Sequence, residues 1–369
     1  MHAPQNYRIA VMPGDGIGPE VTTPCLELLQ AAAEIAGGFS LTYETLAAGA
    51  VCYQQTGDAF PAESLQQAAS ADAVLLGAMG LPDVRYPDGT EIAPQLDLRF
   101  ELGLYAGVRP VRVLPGLPPV LANPRAAAID FVLIRESTEG LFASRGKGEI
   151  DGDQAARDTL VITRAVSEQL FDFAFRLARR RKQGGHPGCV TCVDKANVFK
   201  SFAFFRSVFR ERAKVFSDID AQTAYVDAIA LNMLRHPWAF DVLVTENMFG
   251  DILSDLGAGL MGGMGMAPSA DIGAEHAVFQ PCHGSAPDIA GQGLANPTAM
   301  FLSAAMLLEW LGDTHANAHC SKAAGLISAA VDEAYADGTL LPAELGGEAG
   351  TRAVHERVMA SLSASREQV

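Results

Sequence analysis

The chain has 369 residues, 49% of them apolar and 19% charged, and a formal net charge of −16. That length exceeds the ~250–300 residues one core usually serves, so two domains are expected, and the apolar content excludes a disordered chain. The negative charge argues against nucleic acid and anionic membrane surfaces as partners, so an anionic substrate must be drawn in by arginines placed locally.

The opening MHAPQNYRIAVMPGDG has no basic segment followed by an apolar one, and no apolar run approaches the ~18 residues needed to span a bilayer. A soluble, cytoplasmic protein without a secretory signal is therefore expected. Arg8–Met12 reads as a strand that runs into the turn Pro13–Glu20 and a helix to about Ala36. Glycine permits that tight turn and proline is favoured near the helix start, but the loop matches neither G-x-G-x-x-G nor the P-loop. Strands at Leu41–Ala47 and Ala73–Gly77, with a helix over 61–70 between them, imply a parallel sheet covered on both faces.

In QLDLRFELGLYAGVRPVRVLPG, Arg99 and Arg109 read as flanking a short helical stretch. Two guanidinium forks can hold a diacid, although each arginine taken singly also fits a snorkelling surface side chain. Asp130–Arg135 reads as a strand that delivers a third arginine, Arg135. Residues 143–158 read as an exposed arm, and 159–182 as a long helix whose basic end, Arg179–Lys182, suits the helix dipole and meets solvent. Six cysteines, at 25, 52, 189, 192, 282 and 320, are too sparse for a disulfide framework. The Cys189-x-x-Cys192 pair has no second pair for zinc and reads as core.

The strand CVTCV ends at Asp194-Lys195-Ala196-Asn197, where a lysine at a strand's C-terminal end is placed to carry a proton. Tyr225 opens a helix bearing Asp227, a candidate third carboxylate. The stretch Asp241–Ser269 then supplies an apolar strand to Thr245 and, after Asn247, a helix carrying Asp251 and Asp255 four residues apart. Side chains so spaced share a helix face, and like charges there cost a few tenths of a kcal/mol. A divalent cation would offset that cost, because Mg2+ or Mn2+ takes one or two carboxylates with substrate oxygens and waters. Taken alone, the pair also fits an ordinary amphipathic surface. After the strand AVFQP, the loop His283–Asp288 offers backbone donors to a phosphate and an acid to a ribose diol, and Asn296-Pro297-Thr298 opens an apolar helix over 299–311. Arg357 and the polar Ser363–Val369 close the chain without a further motif.

GDGIGPE, LRxELxLYxxxRPVR, IRESTEG, VDKANV, YVDAxAxN, TENMFGDILSD and HGSAPDIAGQGLANPTA follow one another over nearly the whole chain. With them the sequence resembles the β-decarboxylating 2-hydroxyacid dehydrogenases, the family of the isopropylmalate and isocitrate dehydrogenases. The resemblance implies an α/β two-domain fold with a large twisted mixed sheet and a non-Rossmann cofactor site. Residues 1–107 with 259–369 would form the cofactor-binding domain, and 108–258 the dimerisation and metal/substrate domain, with the arm at 143–158. It also implies a homodimer with shared active sites, in which Lys195 and Asp227 come from one subunit and Arg99, Arg109, Arg135, Asp251 and Asp255 from the other.

By the same resemblance, a divalent ion on Asp227, Asp251 and Asp255 would bind the substrate's carboxylate and 2-hydroxyl, and Lys195 would take the proton as hydride leaves. The arginines would hold the departing carboxylate. Ile17, His283, Gly284, Ser285, Ala286, Asp288 and Asn296 would form the cofactor site, and Asp288-Ile289 predicts NAD over NADP because a carboxylate repels a 2′-phosphate. Two departures stand out. Phe142 occupies the place of a usual tyrosine and has no hydroxyl to protonate an enolate, so oxidation is expected with slowed ketonisation. Gln95 stands about where isopropylmalate enzymes have leucine, and its amide suits an isopropyl group poorly, while nearby Glu91 is within reach of a nicotinamide amide. The expected substrates are 3-isopropylmalate, then D-malate or tartrate, then isocitrate. A non-catalytic regulatory subunit is the reading of another class, opposed by the retained lysine, arginines and aspartates.

Overall fold

The computed structural model describes residues 5–366. The chain begins β1 (Gln5–Gly14), α1 (Gly18–Ala36), β2 (Phe39–Thr45), α2 (Ala50–Thr56), α3 (Ala62–Ser70) and β3 (Ala73–Ala78). It continues through α4 (Pro94–Glu101), β4 (Ala106–Arg112), β5 (Asp130–Glu136), the short β6 (Glu149–Asp151) and β7 (Ala155–Arg157), α5 (Arg164–Gln183) and β8 (Cys189–Asp194). Next come α6 (Lys200–Ala213), β9 (Asp220–Tyr225), α7 (Val226–Arg235), β10 (Val242–Thr245) and α8 (Asn247–Met261). The last elements are β11 (Pro268–Ile272), β12 (Ala277–Pro281), α9 (Thr298–Thr314), α10 (Ala318–Ala336) and α11 (Thr351–Arg366). The polar segment read at the C-terminus thus continues α11, and residues 367–369 lie outside the described part.

Ten strands make one sheet in the order β2-β1-β3-β12-β11-β4-β5-β10-β8-β9, and β6 pairs with β7 as a separate hairpin in the arm. The flanks are parallel, as the alternation of strands and helices predicts. The middle is not: β12–β11, β11–β4 and β4–β5 are antiparallel. The connections account for two of these pairs: the four residues that join β11 to β12 are too few for a parallel crossover of a dozen or more, and no α-helix lies between β4 and β5 to build one. Strands β3 and β10 are buried along their whole length, which explains their unbroken apolar sequences.

Two sequence expectations are corrected, and one strand goes unmarked in the sequence. Arg99 and Arg109 do not flank a helix; Arg99 lies in the last turn of α4 and Arg109 within β4. The helix after the arm starts at Arg164, five residues later than expected, because Thr163 caps it and Val161 pairs with Gly140. Strand β11, unmarked in the sequence, lies at the centre of the sheet. Of the two cysteines read as core, Cys192 is buried in β8 and Cys189 at its start is half-buried; both are free thiols, and burial pushes Cys189 up to about 11 and Cys192 well above its ordinary range. Among the described residues no helix is long and apolar enough to cross a membrane.

Candidate active site

A cavity of about 330 Å³ opens over the middle of the sheet, lined by Arg99, Arg109, Arg135, Asp251, Asp255 and Gln95. Antiparallel pairing puts Ser269 opposite Gln280 and Asp271 opposite Gly107, which in turn faces Arg135, so these residues share one face of the sheet. The neighbours Val108, Ala270 and Phe279 point to the other face.

Arg135 is held from behind. Its Nε and Nη2 donate to Asn247 Oδ1 at 2.9 and 2.7 Å, Nη1 donates to Asp251, and Asn247 Nδ2 donates to the Glu139 carbonyl at 3.0 Å. Helix α8 comes this close because residue 250 is glycine: a Cβ there would lie 2.6 Å from Arg135 Cβ. The Phe142 ring centre sits 5.0 Å from Arg135 Cζ, within cation–π range. Burial, then the charges of Arg99 and Arg109, lower the Arg135 pKa to about 10, with Asp251 opposing them. It remains a cation at neutral pH.

Arg99 and Arg109 share a partner that sequence reasoning missed. Arg99 Nε and Arg109 Nη2 donate to the two oxygens of Asp271 at 3.0 and 3.2 Å, and Gln280 Nε2 adds a third bond at 2.8 Å. Asp271 is 1% exposed. Burial would raise its pKa, but Arg99, Arg109 and Arg135 outweigh that and hold it below the ordinary carboxylate range. Gly107 makes the room, since a Cβ there would lie 3.1 Å from Asp271 Oδ1 and 2.7 Å from Ser137 Oγ. The terminal nitrogens of Arg99 have no partner among the described residues and are left for a ligand.

Facing the arginines, Asp251 and Asp255 stand one turn apart on α8, whose first turn is capped by the Glu246 carboxylate accepting from Met248 and Phe249 N–H. Burial, then the charge of Asp251, raises the Asp255 pKa, with Arg135 and Arg109 opposing. A bound cation would relieve that strain, so the pair fits a hard divalent ion that takes few protein ligands. Among the described residues no third acid, histidine or cysteine of the same chain joins them. Asp227 lies elsewhere, in the first turn of α7, where its Oδ1 accepts from Lys195 Nζ at 2.6 Å; that side-chain pair is 67% and 27% exposed. Lys195 holds the Asp227 pKa down.

The predicted cofactor residues form one corner of the cavity and its surroundings. Gly16 has φ 56°, and a Cβ on it would meet the Ser285 carbonyl at 1.9 Å, while Ile17 N–H donates to that carbonyl at 2.8 Å. The turn after β1 thus seats the 283–288 loop. Glu20 fastens the far end by accepting from Gly291 and Ala295 N–H. His283 and Gly284 line the cavity. Burial holds the His283 pKa down, and its buried Nε2 has no partner among the described residues, leaving an acceptor for a ligand N–H. Ala286 is held at φ 35°, a strained conformation for a residue with a side chain. Asp288 is exposed and its carboxylate binds nothing among the described residues. Two residues are differently occupied. The Ile17 side chain is core, and the Asn296 amide is committed to Glu344 and to Thr298, so only their backbones remain for a cofactor.

The family model of the isocitrate/isopropylmalate dehydrogenases matches residues 8–358. The chain is 41% identical over 353 residues to a 3-isopropylmalate/3-methylmalate dehydrogenase of Methanocaldococcus jannaschii, covering 95% of this chain and 98% of that one. It is 42% identical over 346 residues to the 3-isopropylmalate dehydrogenase of Moorella thermoacetica, covering 91% and 92%. Its structure superposes on the isocitrate dehydrogenase of Methylococcus capsulatus with a TM-score of 0.84 at 35% identity, over 96% of this chain and 99% of the other. A cavity of arginines facing paired acids, on a mixed sheet shared with these enzymes, places the chain in the isocitrate/isopropylmalate dehydrogenase family.

Proposed function

We propose that the protein oxidises and decarboxylates a 3-substituted malate with NAD and Mg2+ or Mn2+, and that 3-isopropylmalate, the substrate in its relatives' names, is the first to test. Family membership itself implies a small hydroxy acid, a pyridine nucleotide and a divalent metal. The arginine trio facing Asp251 and Asp255 in one cavity carries the reading. A divalent ion held by Asp251 and Asp255 would supply Lewis acidity to the substrate hydroxyl, and NAD at the 283–288 loop would supply the hydride acceptor. Arg99, Arg109 and Arg135 hold the leaving carboxylate, and Lys195, oriented by Asp227, exchanges the hydroxyl proton. Asp288 selects NAD by repelling a 2′-phosphate. Incubating the protein with NAD and Mn2+ and a panel of 2-hydroxy diacids should release NADH and carbon dioxide, with NADP a poor substitute; silence across the panel sinks the proposal.

Lys195 and Asp227 must then reach the cavity of a second copy. Around them lie exposed apolar side chains: Val198 59%, Phe199 54%, Leu231 53%, Leu234 50% and Ile252 62% exposed. Such a surface suits burial against a twin. The same reading assigns 1–107 with 259–369 to the cofactor half and 108–258, with the arm at 143–158, to the dimer and metal half.

One observation favours a D-malate or tartrate substrate instead. Gln95 Oε1 lines the cavity, buried and without a donor among the described residues, and an isopropyl group would leave it so at a cost of about 1–3 kcal/mol. Gln95→Leu is therefore expected to shift kcat/KM toward 3-isopropylmalate over D-tartrate by about tenfold or more; an unchanged ratio would remove Gln95 from the specificity wall. Phe142→Tyr is expected to speed ketonisation of the enolate left after decarboxylation while leaving NADH formation at its original rate, which separate assays of the keto acid and of NADH would check.

A further inference from the structure

Three arginines meet in this cavity, yet one of their charges is already answered. Asp271 lies beneath Arg99 and Arg109, 1% exposed, bonded to both and to Gln280. It does not itself line the cavity. A carboxylate so buried persists only with compensating partners, and here the compensation removes one positive charge from the substrate side. Asp251 and Asp255 cancel the other two. Bound divalent metal then leaves a surplus of two positive charges, the charge of one dicarboxylate. The Lys195–Asp227 pair is neutral as a pair, and the exposed Glu91 at the rim is screened by solvent.

We infer that Asp271 sets the charge the cavity accepts, positioning Arg99 and Arg109 while restricting the site to dianionic 2-hydroxy acids and disfavouring trianionic ones. The inference rests on the cavity being a metal-dependent 2-hydroxy acid site. A merely structural Asp271 would tie down the two arginines and leave both ligand classes equally well bound. A charge-setting one makes their ratio depend on its carboxylate. One unit charge a few ångströms away, at an effective dielectric of ~20, suffices for a tenfold preference or more.

The test is calorimetric binding of D-malate and of isocitrate in the presence of Mn2+, which needs no turnover. Asp271→Asn is expected to move the affinity ratio toward isocitrate by about tenfold or more, and Asp271→Glu to keep the original preference. Equal weakening of both ligands in Asp271→Asn would overturn the inference. Should that variant not fold, the wild type decides: a monoester of isocitrate at its third carboxyl, one charge lower at similar size, is expected to bind at least tenfold tighter than isocitrate, and equal affinity would overturn the inference. Failure of both D-malate and 3-isopropylmalate to bind the wild type overturns the underlying assignment of the cavity, and this inference with it.

Discussion

Arg135→Lys is expected to reduce kcat/KM by about a thousandfold, although it conserves the charge. The guanidinium is fixed at three points, with two bonds to Asn247 and one to Asp251, and the Phe142 ring lies over it. An ammonium cannot reproduce that fork. It would leave Asn247 Oδ1 short of donors in a buried place, and each lost bond to a charged group is worth about 1.5–3 kcal/mol. Bonds to the substrate carboxylate would be lost as well, and two or three such terms give the thousandfold figure. Steady-state kinetics on the variant, with its melting temperature measured alongside, provides the check. Activity within tenfold of the wild type would mean that Arg135 is a packing residue, and that the carboxylate is held by Arg99 and Arg109 alone.

How legible this site was in the sequence depended on whether a residue acts directly. The pair Asp251 and Asp255 was visible because helical spacing alone puts two acids on one face, and the apolar run Val242–Val244 marked the strand before them. Strands β3 and β10 were visible because burial on both faces demands unbroken apolar sequence. Asp271 was invisible for the opposite reason. In the sequence PSADI an acid usually signals a solvent-facing position, and only the folded pairing of β11 with β4 puts it under two arginines. The same holds for β4, where Arg109, Pro110 and Arg112 hide the strand pattern. Asn247 and Gly250 also went unread, since one orients Arg135 and the other merely makes room for it.

Two separately disabled chains are expected to rescue each other. If Lys195 and Asp227 serve the cavity of a second copy, then Lys195→Met and Asp255→Asn each abolish nearly all activity as homodimers, by about 10²–10⁴-fold for a lost proton carrier. Together they do not. In a mixed dimer one cavity combines Lys195 from one chain with Asp255 from the other, and its twin collects both lesions. Random pairing makes half the dimers mixed with one sound site each, so co-expressed variants should recover about a quarter of wild-type activity. The geometry favours such sharing. Lys195 and Asp227 bond each other at 2.6 Å on an exposed face, among the apolar side chains of α7 and α8, and neither lines the cavity that holds Asp251 and Asp255. A mixture as inactive as its parents, with mixed dimers shown to form, would place proton transfer within one chain and assign it to another group.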